Sequence, residues 1–105
     1  MPQSNYVLAF HGGGMPETPE EGAKLMEKWQ NWMGDLGDNL VNGGAPVGQS
    51  RTLSASGVTN DGGANPLSGY TSIRAESHED AIEKAKGCPI LESGGTIEIA
   101  PEMEM

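Results

Sequence analysis

The sequence predicts an α+β domain, and three observations carry that prediction. Two helix starts are written as capping boxes, Thr18-x-x-Glu21 and Ser77-x-x-Asp80. Short β-forming runs stand before, between and after them. Clusters of Gly, Asn and Pro separate these runs.

Taken in order, Tyr6-Val7-Leu8-Ala9-Phe10 is apolar throughout and reads as a strand buried on both faces, ending at His11 and three glycines. Thr18 then caps a helix with Pro19 at its first position and Glu20 and Glu21 at the positive end of its dipole. Leu25, Trp29, Trp32, Met33, Leu36 and Leu40 recur at helical spacing, and Asn42-Gly43-Gly44 reads as the stop. Residues 45–55 read as a second strand around Val47 and Leu53. Residues 57–66 read as a turn centred on Asp61-Gly62-Gly63. In Leu67 to Ala75, Gly69, Thr71, Ile73 and Ala75 alternate with Tyr70, Ser72 and Arg74, as in a half-buried strand. The helix opened by Ser77 carries Ala81, Ile82 and Ala85 and closes at Gly87 and Pro89. Residues 95–100 form a last strand with Ile97 and Ile99 on one face. The order β-α-β-β-α-β is that of the ferredoxin-like split unit, whose helices cover one face of an antiparallel sheet. The other face is left open.

The chain of 105 residues is long enough for a single domain over positions 1–105. Its core inventory is thin: Leu, Ile, Val and Phe make up about 16% of the residues, below the roughly 20% under which a highly charged chain tends to disorder. A second copy laid against the open face would supply the missing burial, so a homodimer is expected. The net charge of −9 leaves few Lys and Arg to neutralise phosphates, which argues against nucleic acid and anionic membrane surfaces as partners. The lone Cys88 excludes an internal disulfide. No basic leader precedes the first strand and no apolar run spans a bilayer, so a cytoplasmic protein is expected.

The segment Leu67-Ser-Gly-Tyr-Thr-Ser-Ile-Arg-Ala75, followed by Ser77, Asp80-Ala81, Cys88-Pro89 and Gly95-Thr-Ile-Glu-Ile-Ala-Pro101, resembles the YCII-related proteins, including their DGPF subgroup. Gly43-Gly44-Ala-Pro-Val-Gly48 adds to the likeness, which spans nearly the whole chain. The resemblance implies a dimeric α+β barrel in which two ferredoxin-like sheets face each other. The wider superfamily includes isomerases, lyases and monooxygenases acting on small molecules. The subgroup's signature stands here as Asp61-Gly62-Gly63-Ala64, and the first helix lacks the His that some members carry.

Candidate chemistry is sparse. His11-Gly-Gly-Gly14 matches an oxyanion-loop motif, but the chain has no Gly-x-Ser-x-Gly nucleophile elbow. Nor does a Lys follow these glycines, as a phosphate cradle requires. His11 and His78 are far apart and Cys88 has no neighbouring ligand, so no metal site and no cofactor are expected. Trp29 and Trp32 lie on the helix stripe, as core or as the wall of a pocket. Lys24 and Lys84 follow Glu20 and Asp80 by four, as helix surface pairs do, which leaves Arg51 and Arg74 as the cations on predicted strands. An Arg on a sheet face is either paired with an acid at the rim or an anchor for a carboxylate.

Two functions follow. One is a dimeric module binding a small organic acid beside the sheet through Arg51, Arg74, Tyr70 and Trp29. The other is a small-molecule isomerase or lyase with His11 as its proton-transfer group.

Overall fold

The computed structural model of the chain describes residues 3–14 and 17–103. The elements are β1 (Ser4–His11), α1 (Pro19–Leu36), a 3-10 turn (Gly37–Asn39), β2 (Leu40–Pro46), β3 (Thr52–Ser54), β4 (Gly57–Thr59), β5 (Leu67–Ala75), α2 (His78–Ala85), a second 3-10 turn (Pro89–Ser93) and β6 (Thr96–Pro101). The main sheet runs β2-β5-β1-β6 with every neighbour antiparallel, and β3 pairs with β4 in a separate hairpin. Each helix links two strands that flank a third, an α+β arrangement compatible with the ferredoxin-like fold. No described helix is long and apolar enough to cross a membrane.

Both helix starts form as their capping boxes require. Thr18 Oγ1 accepts from the Glu21 amide at 3.1 Å, and Ser77 Oγ accepts from the Asp80 amide at 3.0 Å. The acidic partners reach back one residue before each cap, to the amides of Glu17 and Glu76. The core is one layer between the sheet and these helices. Tyr6, Leu8 and Phe10 from β1 and Thr71, Ile73 and Ala75 from β5 meet Trp32, Leu36, Ala81 and Ala85. Trp32 does two jobs there. Its ring lies 6.4 Å from that of Phe10, and its indole N–H donates to the Lys84 carbonyl at 2.9 Å, tying α1 to the last turn of α2.

The structure departs from the sequence reading at four places. Val7 and Ala9 are only half-buried, so β1 is covered on one face rather than two. The first helix ends at Gly37, whose φ of 55° breaks it, and Leu40 lies on β2 opposite Ile73 instead of on the helix stripe. Asn42-Gly43-Gly44 is a bulge within β2. Asn42 Oδ1 accepts from the Gly44 amide at 2.8 Å, and Thr71 Oγ1 donates to the Gly43 carbonyl at 3.1 Å. Gly44 has φ +66°, and a Cβ there would run into the Tyr70 carbonyl, so this position admits only glycine. Finally, the expected strand over 45–55 splits between the end of β2 and the short β3, and β4 forms inside the expected turn.

Two predictions follow from this layer. Leu36 is 6% exposed, so Leu36→Ala is expected to cost about 2–5 kcal/mol. A urea midpoint unchanged from the parent would refute that burial. Asp80 is held below its ordinary carboxyl value, first by the Lys84 ammonium at 2.7 Å and then by the Glu76 amide. Its stabilisation is therefore complete above the ordinary value of 3.8 and disappears as pH falls through the lower folded value. Asp80→Asn should melt below the parent at pH 6, with the gap closing toward pH 3.

Candidate functional site

Alternation along the strands sorts the remaining side chains onto the open face. On β5 these are Tyr70, Ser72 and Arg74; on β1 they are Asn5, Val7, Ala9 and His11; on β6 they are Thr96, Glu98 and Ala100. Register places Tyr70, Ala9 and Glu98 in one row across the sheet, and Ser72, Val7 and Ala100 in the next. Apart from Tyr70, the middle of the face is small and uncharged. Its Arg and Glu stand toward one end and along the β6 edge.

At one end, His11 is clamped. Its side chain is 11% exposed. Nδ1 lies 2.9 Å from the Asn65 carbonyl and 3.2 Å from that of Pro66, while Nε2 meets Glu98 Oε1 at 3.1 Å. Both ring nitrogens are thereby engaged, one with the loop entering β5 and the other with the edge strand β6. The glycines after His11 are held closely too. Gly13 has φ +87°, and a Cβ there would press on the Ile90 side chain, so this loop packs against the Pro89–Ser93 turn. Beside His11, the buried Ser68 Oγ has no hydrogen-bond partner among the described residues.

At the other end, Arg74 stands opposite Asn5, six residues along β1 from His11. At about 3.4 Å per residue the two positions are about 20 Å apart. Tyr70 lies between them on the same face and is 39% exposed. Among the described residues, neither arginine forms an ion pair. Arg51 does not lie on a strand; it is exposed in the connection before β3. Trp29 lies on the far side of the sheet, 5.3 Å from Phe10 and 5.8 Å from Trp32 by ring centroids, and belongs to the core side. Within one chain, then, His11, Tyr70 and Arg74 share a face, while Arg51 and Trp29 do not join them.

The other chemistry-bearing groups are quiet. Cys88 is buried, and desolvation raises its thiol to about 11, so it stays protonated. His78 opens α2, with Nε2 3.0 Å from the Ile99 carbonyl and its ring 5.7 Å from Tyr6. No described His, Cys, Asp and Glu cluster could hold a metal ion. A groove of about 290 Å³ lies on the helix side between Trp32, Asp35 and Pro89, with the Lys28–Glu92 pair at 3.3 Å on its lining.

Two of these placements were not read from the sequence. Glu98 could have been found by parity, since it separates Ile97 from Ile99 and must face away from the core. The carbonyls of Asn65 and Pro66 are 54 and 55 residues from His11 and carry no local signal. No protein-family model matches the chain, and no curated protein matches it in sequence.

The clamp makes a direct prediction. His11→Ala removes the ring from two backbone carbonyls and a carboxylate, which should lower stability by about 1–3 kcal/mol. Hydrogen exchange should also quicken at the Leu67 and Thr96 amides beside it. Unchanged exchange there would show that the ring holds nothing in place.

Proposed function

We propose that the chain is a homodimeric, YCII-related binding module that takes a small organic acid in a cleft closed over its open sheet face. The observation that supports this reading is the face itself: Val7, Ala9, Ser72 and Ala100 form an uncharged floor on the side of the sheet away from the helices, and beside it stands Arg74 without an acidic partner among the described residues. A guanidinium in that position is free to take a carboxylate in a two-pronged hydrogen bond. Tyr70, four residues along β5 on the same face, has a phenol to donate to the ligand's other end.

The dimer gives the cleft its second wall. If two copies stack by their open faces about a two-fold axis perpendicular to the strands, their strands run in opposite senses. The His11–Glu98 end of one copy then lies over the Arg74 end of the other. Residues about 20 Å apart in one chain thus approach across the interface. This module reading takes precedence over proton transfer by His11 because both ring nitrogens already have partners.

Sedimentation equilibrium should return about twice 11.0 kDa at micromolar concentration. A panel of small mono- and dicarboxylic acids, followed by amide shifts, should then perturb Tyr70, Ser72 and Arg74, and Arg74→Ala should weaken the best binder at least about tenfold. A folded monomer, or shifts confined to α1 and α2, would overturn the reading.

A further inference from the structure

Asparagine is a thermolabile residue, and a glycine after it leaves the next backbone nitrogen open to its side chain. The chain holds this pair once, at Asn42-Gly43. Tyr6, Trp32, Leu40, Asp61 and Pro66 follow the other asparagines. The pair stands in the bulge of β2, an outer strand of the sheet. Register passes from Asn42 opposite Ser72 directly to Ala45 opposite Tyr70, so Gly43 and Gly44 have no partner residue on β5. Asn42 is exposed. Its Oδ1 accepts from the Gly44 amide at 2.8 Å, which turns the side chain back over the peptide joining Asn42 to Gly43.

From this geometry we infer that Asn42 is a site of spontaneous deamidation, and that the change loosens β2 from β5. The inference needs neither a ligand nor a second copy of the chain. The Gly43 nitrogen attacks Cγ of Asn42, and the new C–N bond closes a five-membered succinimide. The Cγ–Nδ2 bond breaks, and Nδ2 leaves as ammonia with the proton that the Gly43 nitrogen gave up. Water then opens the ring. Cleavage at Cγ leaves aspartate; cleavage at the main-chain carbonyl leaves isoaspartate, in which the backbone runs through Cβ and Cγ. During the attack negative charge grows on Oδ1, where the Gly44 N–H already points. A donor placed in advance on such an oxygen lowers the barrier.

The two glycines of the bulge differ in what they require. Gly43 lies outside the left-handed region, and a Cβ there would meet Met33 Sδ at an ordinary 3.7 Å. Packing therefore admits a side chain at 43, and its absence leaves the approach to the Gly43 nitrogen clear. Gly44 is the opposite case, because a Cβ there would run into the Tyr70 carbonyl. Isoaspartate adds a main-chain carbon directly before this close approach. The bond from Thr71 Oγ1 to the Gly43 carbonyl, 3.1 Å, lies in the same bulge. The extra length has nowhere to go without moving Gly43 and Gly44 against Thr71 and Tyr70. Since β2 pairs with β5 alone, that shift is felt as a weaker edge of the sheet.

The test ages the full chain in mildly alkaline buffer and follows its mass and its tryptic peptides. The gain that replaces an amide by an acid should appear in the peptide between Lys28 and Arg51 and fragment to Asn42. It should appear at least as fast in the folded protein as in the same chain unfolded in guanidinium chloride. Gly43→Ala, which the packing admits, should keep the circular dichroism of the parent and slow the gain about tenfold. A folded parent that keeps its mass while the unfolded chain gains it, or a gain that maps to Asn31 or Asn39, overturns the site. The loosening is read separately. Aged protein, freed of unmodified chain by ion exchange, should melt below Asn42→Asp, which has the new charge without the added carbon. Its Tyr70 and Thr71 amides should also shift from their positions in Asn42→Asp. Equal melting and superimposable spectra would overturn the loosening.

Discussion

The fold depends on one layer of apolar side chains pressed between the sheet and two helices, with Trp32 at its centre. An aromatic of this size buries about 150–250 Å², which at roughly 25 cal/mol per Å² is an upper figure of about 4–6 kcal/mol. A domain's whole net stability is about 5–15 kcal/mol. Trp32 also satisfies a carbonyl in the last turn of α2, a group that the helix itself cannot pair. The same side chain therefore fixes where α1 lies, where α2 ends and how closely Gly87 must pass, since a Cβ at Gly87 would crowd the indole ring.

A core drawn from so few large residues closes one side of the sheet and leaves the other. Alternation makes this unavoidable. Every residue that turns Tyr6, Leu8 and Phe10 inward turns Val7, Ala9 and His11 outward. The outward set is not the charged surface expected of a strand facing bulk water. Its centre is Val, Ala and Ser beside Tyr70, and its charged groups are one edge carboxylate and one arginine, with a clamped imidazole at one end. The two helices, by contrast, carry seven acidic residues against three Lys. The distribution separates a solvated side from a side that tolerates contact.

The elements that were legible in the sequence are those whose signals are local. Thr18 and Ser77 bond to amides three residues away, and the alternation of β5 is complete within nine residues. The misread stretch is where one chemistry serves two structures. Asn-Gly-Gly supplies a side-chain acceptor and a left-handed backbone, which end a helix as readily as they form a bulge. Leu40 follows Leu36 by four, a helical interval, yet Gly37 with φ 55° has already broken the helix. The candidate site was legible only in part for the same reason. Parity places Tyr70 and Arg74 together, whereas the partners of His11 come from the loop into β5 and from β6, so only the folded chain reveals that both ring nitrogens are engaged. Trp29 and Arg51 failed to join the others for opposite reasons: the first lies on the helix side of the sheet, and the second is exposed in the connection before β3.

The charge of the whole molecule bears on what the open face can bind. A net −9 repels an organic anion at long range, and at physiological salt that repulsion is screened over about 8 Å. An exposed Arg74 offers a carboxylate only about 1 kcal/mol at 4 Å in bulk water, against about 4 kcal/mol at an effective dielectric of 20. On a bare face the local attraction is thus too weak to select an acid against its own hydration. In the dimer proposed above, the second copy would exclude water from around the guanidinium and so change that balance. Burial for stability and enclosure for binding would then be the same requirement, met by one contact.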